Sequence, residues 1–262
     1  MTYETIRVEE DEQVLSVTLD RPEVHNAFND KLITEAIDLF GALDRWPSVC
    51  AVVLRGTGPN FCAGADLNWM SKMVSYTREE NIRDSSLLAK MFALMNESSL
   101  PLIGRIQGAA IGGGVGLVSV CDIAFATVQS KFGLSEVKLG ILPAVISPYV
   151  IAKIGESHAR ALLLTGERFG AERAAAIGLI HGVGGNEGEL DGLVDEAVGQ
   201  IRTSGPQAVR ECKKLIRFVA QHTPEDSVPY TIQAIADRRV SEEGQQGMQS
   251  FLRKEKAPWV SR

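Results

Sequence analysis

The sequence has few cysteines, four in 262 residues: Cys50, Cys62, Cys121 and Cys212. No two of them form a C-x-x-C pair, which favours free thiols in a reducing compartment over a disulfide framework or a zinc site. Long hydrophobic runs are also absent, since the most apolar stretch, residues 108–121, is too short to span a bilayer and is interrupted by glycines. The first residues show no basic segment followed by an apolar one, so we expect no secretory signal, no membrane partner and a cytoplasmic location.

Basic residues are in the minority, with 27 Lys and Arg against 33 Asp and Glu, a net charge of −6. An acidic protein repels phosphates, which argues against nucleic acid as a partner. Residues 1–200 carry a net charge of −10, whereas residues 201–262 carry +4. The basic end is either a solvated helical face or a helical arm that meets an anionic ligand or another subunit. Hydrophobic residues make up 45% of the chain, which excludes intrinsic disorder.

The pattern of apolar residues predicts a mixed α/β chain with mainly parallel strands. The predicted strands are Val14–Leu19, Ala51–Leu54, Leu102–Ile106 and Ile123–Ala126. Between these strands the spacing predicts a helix over about 30–46, with Asp30 as its N-cap. It also predicts a long helical region between the second and third strands that ends at about Asn96, and helices again from Ser147. Consecutive helices are predicted at the end of the chain, over Pro206–Ala220, Pro224–Arg238 and Glu242–Lys254. We therefore expect two domains, residues 1–200 as the core and residues 201–262 as a helical region.

Glycine is in excess, at 25 of 262 residues against an average near 7%. Two small-residue segments, Phe61–Leu67 and Gly108–Leu117, each follow a predicted strand and precede a predicted helix. The N–H groups at a helix start are unpaired, and two of them converging on one point would form an oxyanion hole for an acyl oxygen. The alternative interpretation is that small residues only allow a helix and a strand to pack closely.

Competing motifs are absent from the sequence. The glycines at 112–116 are not followed by the Lys-Ser/Thr ending of a phosphate-binding loop. They occur in mid-chain rather than after the first strand, unlike a dinucleotide fingerprint. Neither a G-x-S-x-G nor an H-E-x-x-H sequence occurs, which argues against a serine hydrolase and a zinc protease. The four histidines have no partners at ligand or triad spacing.

A series of segments makes the chain recognisable: Arg21-Pro22 with Asn26-Ala27, Phe61–Leu67, Gly112–Gly114, Cys121–Ala124, Phe132–Glu136, Leu139–Pro143 and Phe251–Lys254. In this order they resemble the enoyl-CoA hydratase/isomerase (crotonase) superfamily along essentially the whole chain. Within the superfamily, residues 63–70, 112–118 and 135–149 are similar to bacterial 3-methylglutaconyl-CoA hydratases.

This resemblance implies an α/β spiral of ββα turns, followed by a helical region that assembles homotrimers or hexamers. It assigns the oxyanion hole to the N–H groups of Ala65 and Gly113, and the acid/base role to Glu136. Contacts with the acyl-CoA substrate are implied for Ala27, Ala63, Ala65, Asp66, Leu67, Asn68, Gly113, Phe251 and Lys254. CoA would arrive as part of the substrate, and neither a metal nor another cofactor is implied. Asp66 is also the predicted N-cap of the helix that begins at Leu67.

The sequence departs from the two-glutamate hydratases of the superfamily at Gly116, where their second glutamate stands. We interpret the chain as a hydratase of branched 2-enoyl thioesters, with 3-methylglutaconyl-CoA as the expected substrate. The alternatives are an enoyl-CoA isomerase, a hydratase of another acyl chain, and an inactive acyl-CoA-binding protein. For a substrate carboxylate, Lys72, Arg78 and Lys138 are candidate cations. The side chains of Trp69, Met70 and Met73 either line an acyl pocket or pack in a core.

Overall fold

Nine strands occur within residues 3–260, the part of the chain that this computed structural model describes. They are β1 (Ile6–Asp11), β2 (Val14–Leu19), β3 (Ala51–Gly56), β4 (Leu102–Ile106), β5 (Ala109–Ile111), β6 (Ile123–Thr127), β7 (Lys131–Gly133), β8 (Arg168–Gly170) and β9 (Gly182–Gly184). Six form one sheet in the order β1-β2-β3-β4-β6-β9, parallel throughout except for the β1–β2 hairpin. The others form a small sheet, β5-β7-β8, in which β5 and β7 are parallel.

Ten α-helices occur in the same described range. They are α1 (Asp30–Phe40), α2 (Leu67–Met73), α3 (Arg78–Glu97), α4 (Gly113–Val120), α5 (Ser147–Thr165), α6 (Ala171–Ala176), α7 (Glu187–Arg202), α8 (Pro206–Ala220), α9 (Pro224–Val240) and α10 (Glu242–Arg253). The prediction for the first helix was wrong in two details. Its N-cap is Asn29, whose side chain accepts a hydrogen bond from the N–H of Leu32, and the α-helix ends at Phe40 rather than near residue 46.

The mixed α/β fold is confirmed, and the reason lies in how apolar residues are distributed over the strands. Strands β3 and β4 are buried on both faces, as continuous runs such as Ala51-Val52-Val53-Leu54 require. Helix α1 presents Leu32, Ile33, Ala36, Leu39 and Phe40 to the core from one face. The largest fully buried side chains include Phe28, Phe61, Phe92 and Phe132.

The chain divides into two compact units, which we describe separately. The first contains the residues up to Ser98 together with Leu102–Val194, and it holds both sheets. The second contains Ser99–Pro101 and the chain from Asp195 onward, including helices α8 to α10. The functional boundary at residue 200 stays a prediction. None of the described helices is both long and apolar enough to cross a membrane.

The second unit has helices with well-defined starts and an exposed apolar surface. Side chains of Thr223 and Ser241 accept hydrogen bonds from backbone N–H groups in the first turns of α9 and α10. Helix α10 ends at Arg253, one residue earlier than predicted, because Lys254 adopts a left-handed conformation with φ of 59°. Exposed apolar side chains in this unit include Ile216, Val228, Ile232, Ile235, Val240, Phe251 and Leu252.

Candidate active site

The loop after strand β3 is held in place by the amide of Asn26, which is fully buried. Its carbonyl oxygen accepts a hydrogen bond from the N–H of Arg21, and its amide nitrogen donates to the carbonyl groups of Thr57 and Asn60. The side chain of Asn60 in turn accepts from the N–H of Ala109 at the start of β5. Both polar atoms of the Asn26 amide therefore have partners, and Asn60 links the loop to the small sheet.

Ala65 lies in the extended segment that follows this loop. The N–H of Phe28 donates to the carbonyl of Gly64 at 2.7 Å, and the N–H of Asp66 donates to the carbonyl of Phe28 at 2.9 Å. In such a parallel bridge the residue between the two bonds turns its own N–H away from the partner strand. Among the described residues, no acceptor receives the N–H of Ala65.

Gly113 begins helix α4 directly after strand β5. The preceding residue, Gly112, has a φ of 52°, a conformation that strongly favours glycine, and its N–H donates to the carbonyl of Gly133. The N–H of Gly113 is one of the first in the helix and has no acceptor within residues 3–260. It is therefore available to a ligand, with the positive end of the helix behind it.

The two glycine-containing segments touch each other closely. A Cβ added to Gly64 would lie 3.0 Å from the carbonyl oxygen of Ile111, and one added to Gly114 would lie 2.3 Å from that of Cys62. Hydrogen bonds from Cys62 to Ala109 and from Ile111 to Cys62 join the segments further. The structure thus confirms that these glycines permit close packing, and it places the two unpaired N–H groups in neighbouring backbone segments. Their role as an oxyanion hole stays a prediction.

Glu136 reaches the same place from the adjacent strand of the small sheet. Strands β5 and β7 are parallel, so their carboxyl ends meet at one edge, where β5 leads into α4 and β7 leads to the 3-10 helix Glu136–Leu139. The Oε1 atom of Glu136 is 2.9 Å from the point that a Cβ of Gly112 would occupy. Its Oε2 atom is buried and has no hydrogen-bond partner among the described residues.

Burial raises the pKa of the Glu136 carboxyl above its ordinary value, while a hydrogen bond from its own backbone opposes the shift. A carboxyl of this kind is half-buried, unpartnered on one oxygen and able to hold a proton at a higher pH than a surface glutamate. These are the properties of a general acid or base.

We expect Glu136→Gln to raise the melting temperature near pH 8 and to leave it unchanged near pH 4. The folded protein disfavours the ionised carboxyl, so Glu136 does not reduce stability below its unfolded pKa, where it is neutral. As pH rises through the raised folded pKa, the carboxyl ionises at a cost in free energy, and the wild type loses stability. Gln mimics the neutral form at every pH. Calorimetry of both proteins across this range measures the difference, and an unchanged melting temperature at pH 8 would contradict the burial argument.

Gly116 faces side chains that fill its surroundings. A Cβ at this position would lie 2.4 Å from Cγ2 of Ile146 and 2.9 Å from Cζ of Phe92. Both side chains are buried and apolar. No carboxylate can occupy this position unless Ile146 and Phe92 move. The packing therefore excludes the second glutamate that the two-glutamate hydratases have here.

Asp66 is a structural anion. It caps helix α2 by accepting hydrogen bonds from the N–H groups of Asn68 and Trp69, as predicted, and it pairs with Arg21 at 2.8 Å. Burial alone would raise the pKa of Asp66, but the hydrogen bonds from Arg21 and the helix N–H groups hold it below its ordinary value. A carboxylate so well stabilised is a poor proton donor.

We expect Asp66→Asn to lower the free energy of unfolding by about 2 kcal/mol near pH 7, because Arg21 would keep a buried charge without its partner. The loss stays moderate, since Asn also caps helices and Arg21 still donates to the carbonyl of Ala27. The wild-type advantage exists above the unfolded pKa of Asp66 and disappears as pH falls through its lowered folded pKa. Urea unfolding at both ends of this range tests the sign. A large fall in kcat would instead place Asp66 in the chemistry.

The other predicted binding residues lie in different surroundings. Ala27 is buried and Ala63 is half-buried, and both belong to the loops around Asn26. Leu67 and Asn68 are exposed in the first turn of α2. Phe251 and Lys254 are exposed at the end of α10, in the second unit. Their contacts with a substrate stay predictions.

The candidate cations and apolar residues near α2 are now located. Lys72 lies 3.8 Å from Asp30, Arg78 lies 3.9 Å from Glu79, and all four side chains are well exposed. Lys138 is exposed in the 3-10 helix that carries Glu136. Trp69 is buried and donates its indole N–H to Asp84, whereas Met70 and Met73 are half-buried. Within the described residues, no group of three or more His, Cys, Asp or Glu side chains is placed to hold a metal ion.

Sequence reasoning missed three side chains that shape the site: Phe28, Phe92 and Ile146. Phe28 follows directly on the recognised Asn26-Ala27 pair, and Ile146 lies inside a recognised segment, yet neither spacing nor composition indicated what they contact.

Known proteins similar to this chain are enoyl-CoA hydratases and isomerases. The sequence model of the enoyl-CoA hydratase/isomerase family matches residues 9–262. The chain is 31% identical to the crotonyl-CoA hydratase of Syntrophomonas wolfei, with 100% of each chain covered. It is 30% identical to the peroxisomal Delta(3,5)-Delta(2,4)-dienoyl-CoA isomerase of Arabidopsis thaliana, with 87% of this chain and 86% of that one covered.

Among solved structures, an enoyl-CoA hydratase from Shewanella pealeana superimposes with a TM-score of 0.93 at 36% identity, covering 98% of this chain and 96% of that one. The chain belongs to the enoyl-CoA hydratase/isomerase family. It is an enzyme of the enoyl-CoA hydratase type.

Proposed function

We propose that this enzyme adds water to the double bond of a 2-enoyl-CoA thioester. The proposal is supported by the placement of Ala65 and Gly113, whose backbone N–H groups have no acceptor among the described residues, in neighbouring segments. The half-buried carboxyl of Glu136 reaches Gly112, next to Gly113, and its Oε2 has no partner in the same range. The thioester oxygen accepts hydrogen bonds from both N–H groups, which stabilise the negative charge that develops on it during addition.

In the proposed mechanism, the carboxylate of Glu136 removes a proton from water while the water oxygen bonds to the β-carbon. The electron pair of the double bond moves toward the thioester, whose oxygen takes the charge. The protonated carboxyl then returns its proton to the α-carbon, so one water is added and the enzyme is regenerated. The raised pKa of Glu136 suits a group that must both take and give this proton.

The substrate that we propose is 3-methylglutaconyl-CoA, which would yield 3-hydroxy-3-methylglutaryl-CoA in leucine degradation. Support comes from the similarity of residues 63–70, 112–118 and 135–149 to bacterial hydratases of this thioester. Its distal carboxylate requires a cation or a strong donor. Lys72, Arg78 and Lys138 are the candidates, since all three are exposed and none forms a short ion pair within the described residues.

We further propose that CoA enters only as part of the substrate, without another cofactor, and that the chain acts as a homotrimer or hexamer. The exposed apolar side chains of the second unit support assembly, since buried apolar area is what stabilises an obligate interface. Phe251 and the basic Lys254 are proposed CoA contacts, with the positive charge of residues 201–262 favouring its phosphates.

A second candidate function is isomerisation of an enoyl-CoA. It is favoured by the apolar wall of Ile146 and Phe92 at Gly116, which leaves Glu136 as the carboxylate placed beside the two donors. A single carboxyl can move a proton from the α-carbon to the γ-carbon without any water. One relative of similar identity is named an isomerase.

Product analysis separates these functions. The enzyme is incubated with crotonyl-CoA, 3-methylglutaconyl-CoA and a 3-enoyl-CoA. Products are separated by liquid chromatography against 2-enoyl-CoA and 3-enoyl-CoA standards and identified by mass spectrometry. We expect the mass of one water to be added to the 2-enoyl substrates, fastest with 3-methylglutaconyl-CoA. Shift of the 3-enoyl double bond without mass change would establish the isomerase instead. Binding of all three thioesters without turnover would leave an inactive acyl-CoA-binding protein.

A further inference from the structure

Phe28 contacts both of the segments that carry the unpaired N–H donors. Its backbone forms the two hydrogen bonds that hold the segment from Gly64 to Asp66 extended around Ala65. Its ring lies against Gly113, where an added Cβ would be 2.4 Å from Cε2 and 2.9 Å from Cδ2. The side chain is 1% exposed, so the ring fills a closed space.

The ring is itself held by a second aromatic side chain. Phe92 packs edge-on against Phe28, with 6.1 Å between ring centroids, and also touches the Gly116 position. Gly113 and Gly116 lie three residues apart in helix α4 and therefore on one helix face. An aromatic pair thus occupies the space that side chains on this face would otherwise take. Since packed rings resist small displacements, the start of α4 cannot slide toward the Ala65 segment or rotate over it.

We infer that Phe28 is a positioning residue that sets the separation and direction of the N–H groups of Ala65 and Gly113. This inference rests on the proposed function, in which the thioester oxygen of the substrate is the shared acceptor of the two N–H groups. Hydrogen bonds weaken steeply with misalignment, so a displacement well below the size of an atom is enough to reduce polarisation of a thioester carbonyl. Phe28 has no polar side-chain atom and takes no part in proton transfer.

Phe28→Leu tests the inference, since it keeps the backbone clamp and the apolar character but removes the ring from Gly113. The matched control is Phe125→Leu. Phe125 is also buried and also packs on a glycine, Gly182, with Cδ1 3.1 Å from the Cβ position, but it does so at the β9 edge of the large sheet. Both variants lose a similar buried volume, and a purely structural role predicts similar effects.

The decisive readout is the infrared carbonyl stretch of bound butyryl-CoA labelled with carbon-13 at the thioester carbon. This saturated thioester reports hydrogen bonding to its oxygen and cannot be hydrated. We expect the wild type to lower the stretching frequency on binding, Phe28→Leu to lose about half of that shift, and Phe125→Leu to keep it. With an enoyl-CoA substrate, kcat of Phe28→Leu should fall about tenfold while KM changes less than about twofold.

The possible results are distinct. If Phe28→Leu keeps the full frequency shift and kcat, and loses only thermal stability to the extent of Phe125→Leu, the inference is overturned. If the wild type itself shows neither a frequency shift nor turnover of any enoyl-CoA, the proposed function fails first, and that is decided without any variant. Should Phe28→Leu not fold, Phe28→Met, whose unbranched and flexible side chain adapts better to the space left by the ring, is measured in its place with the same expectations.

Discussion

Glu136→Gln is expected to lower kcat by about 10³-fold while binding of the acyl-CoA is retained. Gln has the same shape as a protonated glutamate, so the contact with Gly112 and the positions of the two N–H donors are preserved. What disappears is the ability to take a proton from water and return it to carbon. The remaining rate is that supported by the oxyanion donors and by substrate positioning.

The measurement is the loss of enoyl-thioester absorbance with 3-methylglutaconyl-CoA and crotonyl-CoA. Glu156→Gln is the matched control, because Glu156 is exposed on α5 and its one ion pair within residues 3–260 is with the exposed Arg160. It should retain wild-type kcat. If Glu136→Gln keeps more than about a tenth of the wild-type kcat, the acid/base assignment is wrong.

A pH profile adds a second check on the same residue. The carboxyl must be ionised in the free enzyme in order to accept the proton of water, so kcat/KM should fall as pH decreases through the pKa of Glu136. Since burial raises this pKa, the fall should occur at a higher pH than for an ordinary glutamate. In Glu136→Gln this acid limb should be missing from the residual activity.

Local signals predicted much of the fold. Strands Val14–Leu19 and Leu102–Ile106 and helix Pro206–Ala220 have the predicted bounds, because alternation, apolar runs and a proline at the helix start act within a few residues. The three-residue strands β5, β7, β8 and β9 were not predicted, since three residues are too few to show a period. Two of them, β5 and β7, nevertheless place Gly113 and Glu136.

Only part of the site could be predicted, because contacts between residues that are far apart in the sequence leave no local pattern. The recognised segments indicated Ala65, Gly113 and Glu136. The structure places these segments next to one another, and the roles of the three residues stay predictions. The contact of Phe28 with Gly113 joins residues far apart in the sequence, and no periodicity reports such a contact. The same holds for Ile146, whose approach to Gly116 explains the glycine sterically. From the sequence alone this glycine was only a missing carboxylate.

Gly116→Glu is therefore expected to destabilise the protein by about 4 kcal/mol and to leave hydratase activity no higher than before. The new side chain would overlap Ile146 and Phe92, and overpacking of a well-filled core costs about 1–3 kcal/mol. Its carboxyl would also be pressed against apolar groups, which adds the cost of burying an unpaired polar group. A second carboxylate cannot be supplied to this site by one substitution, because the surrounding side chains have to change with it.

Urea unfolding gives the free energy, and Gly192→Glu is the matched control. Gly192 also lies within a helix, α7, but an added Cβ there meets no atom within 4 Å. Since glutamate is the better helix former, the control should be as stable as the wild type or slightly more stable. The steric explanation fails if Gly116→Glu unfolds at the wild-type urea concentration, because Ile146 and Phe92 would then have moved at little cost. A gain of hydratase activity in that variant would show that the site accommodates a second acid/base group, and the steric explanation of Gly116 would be wrong.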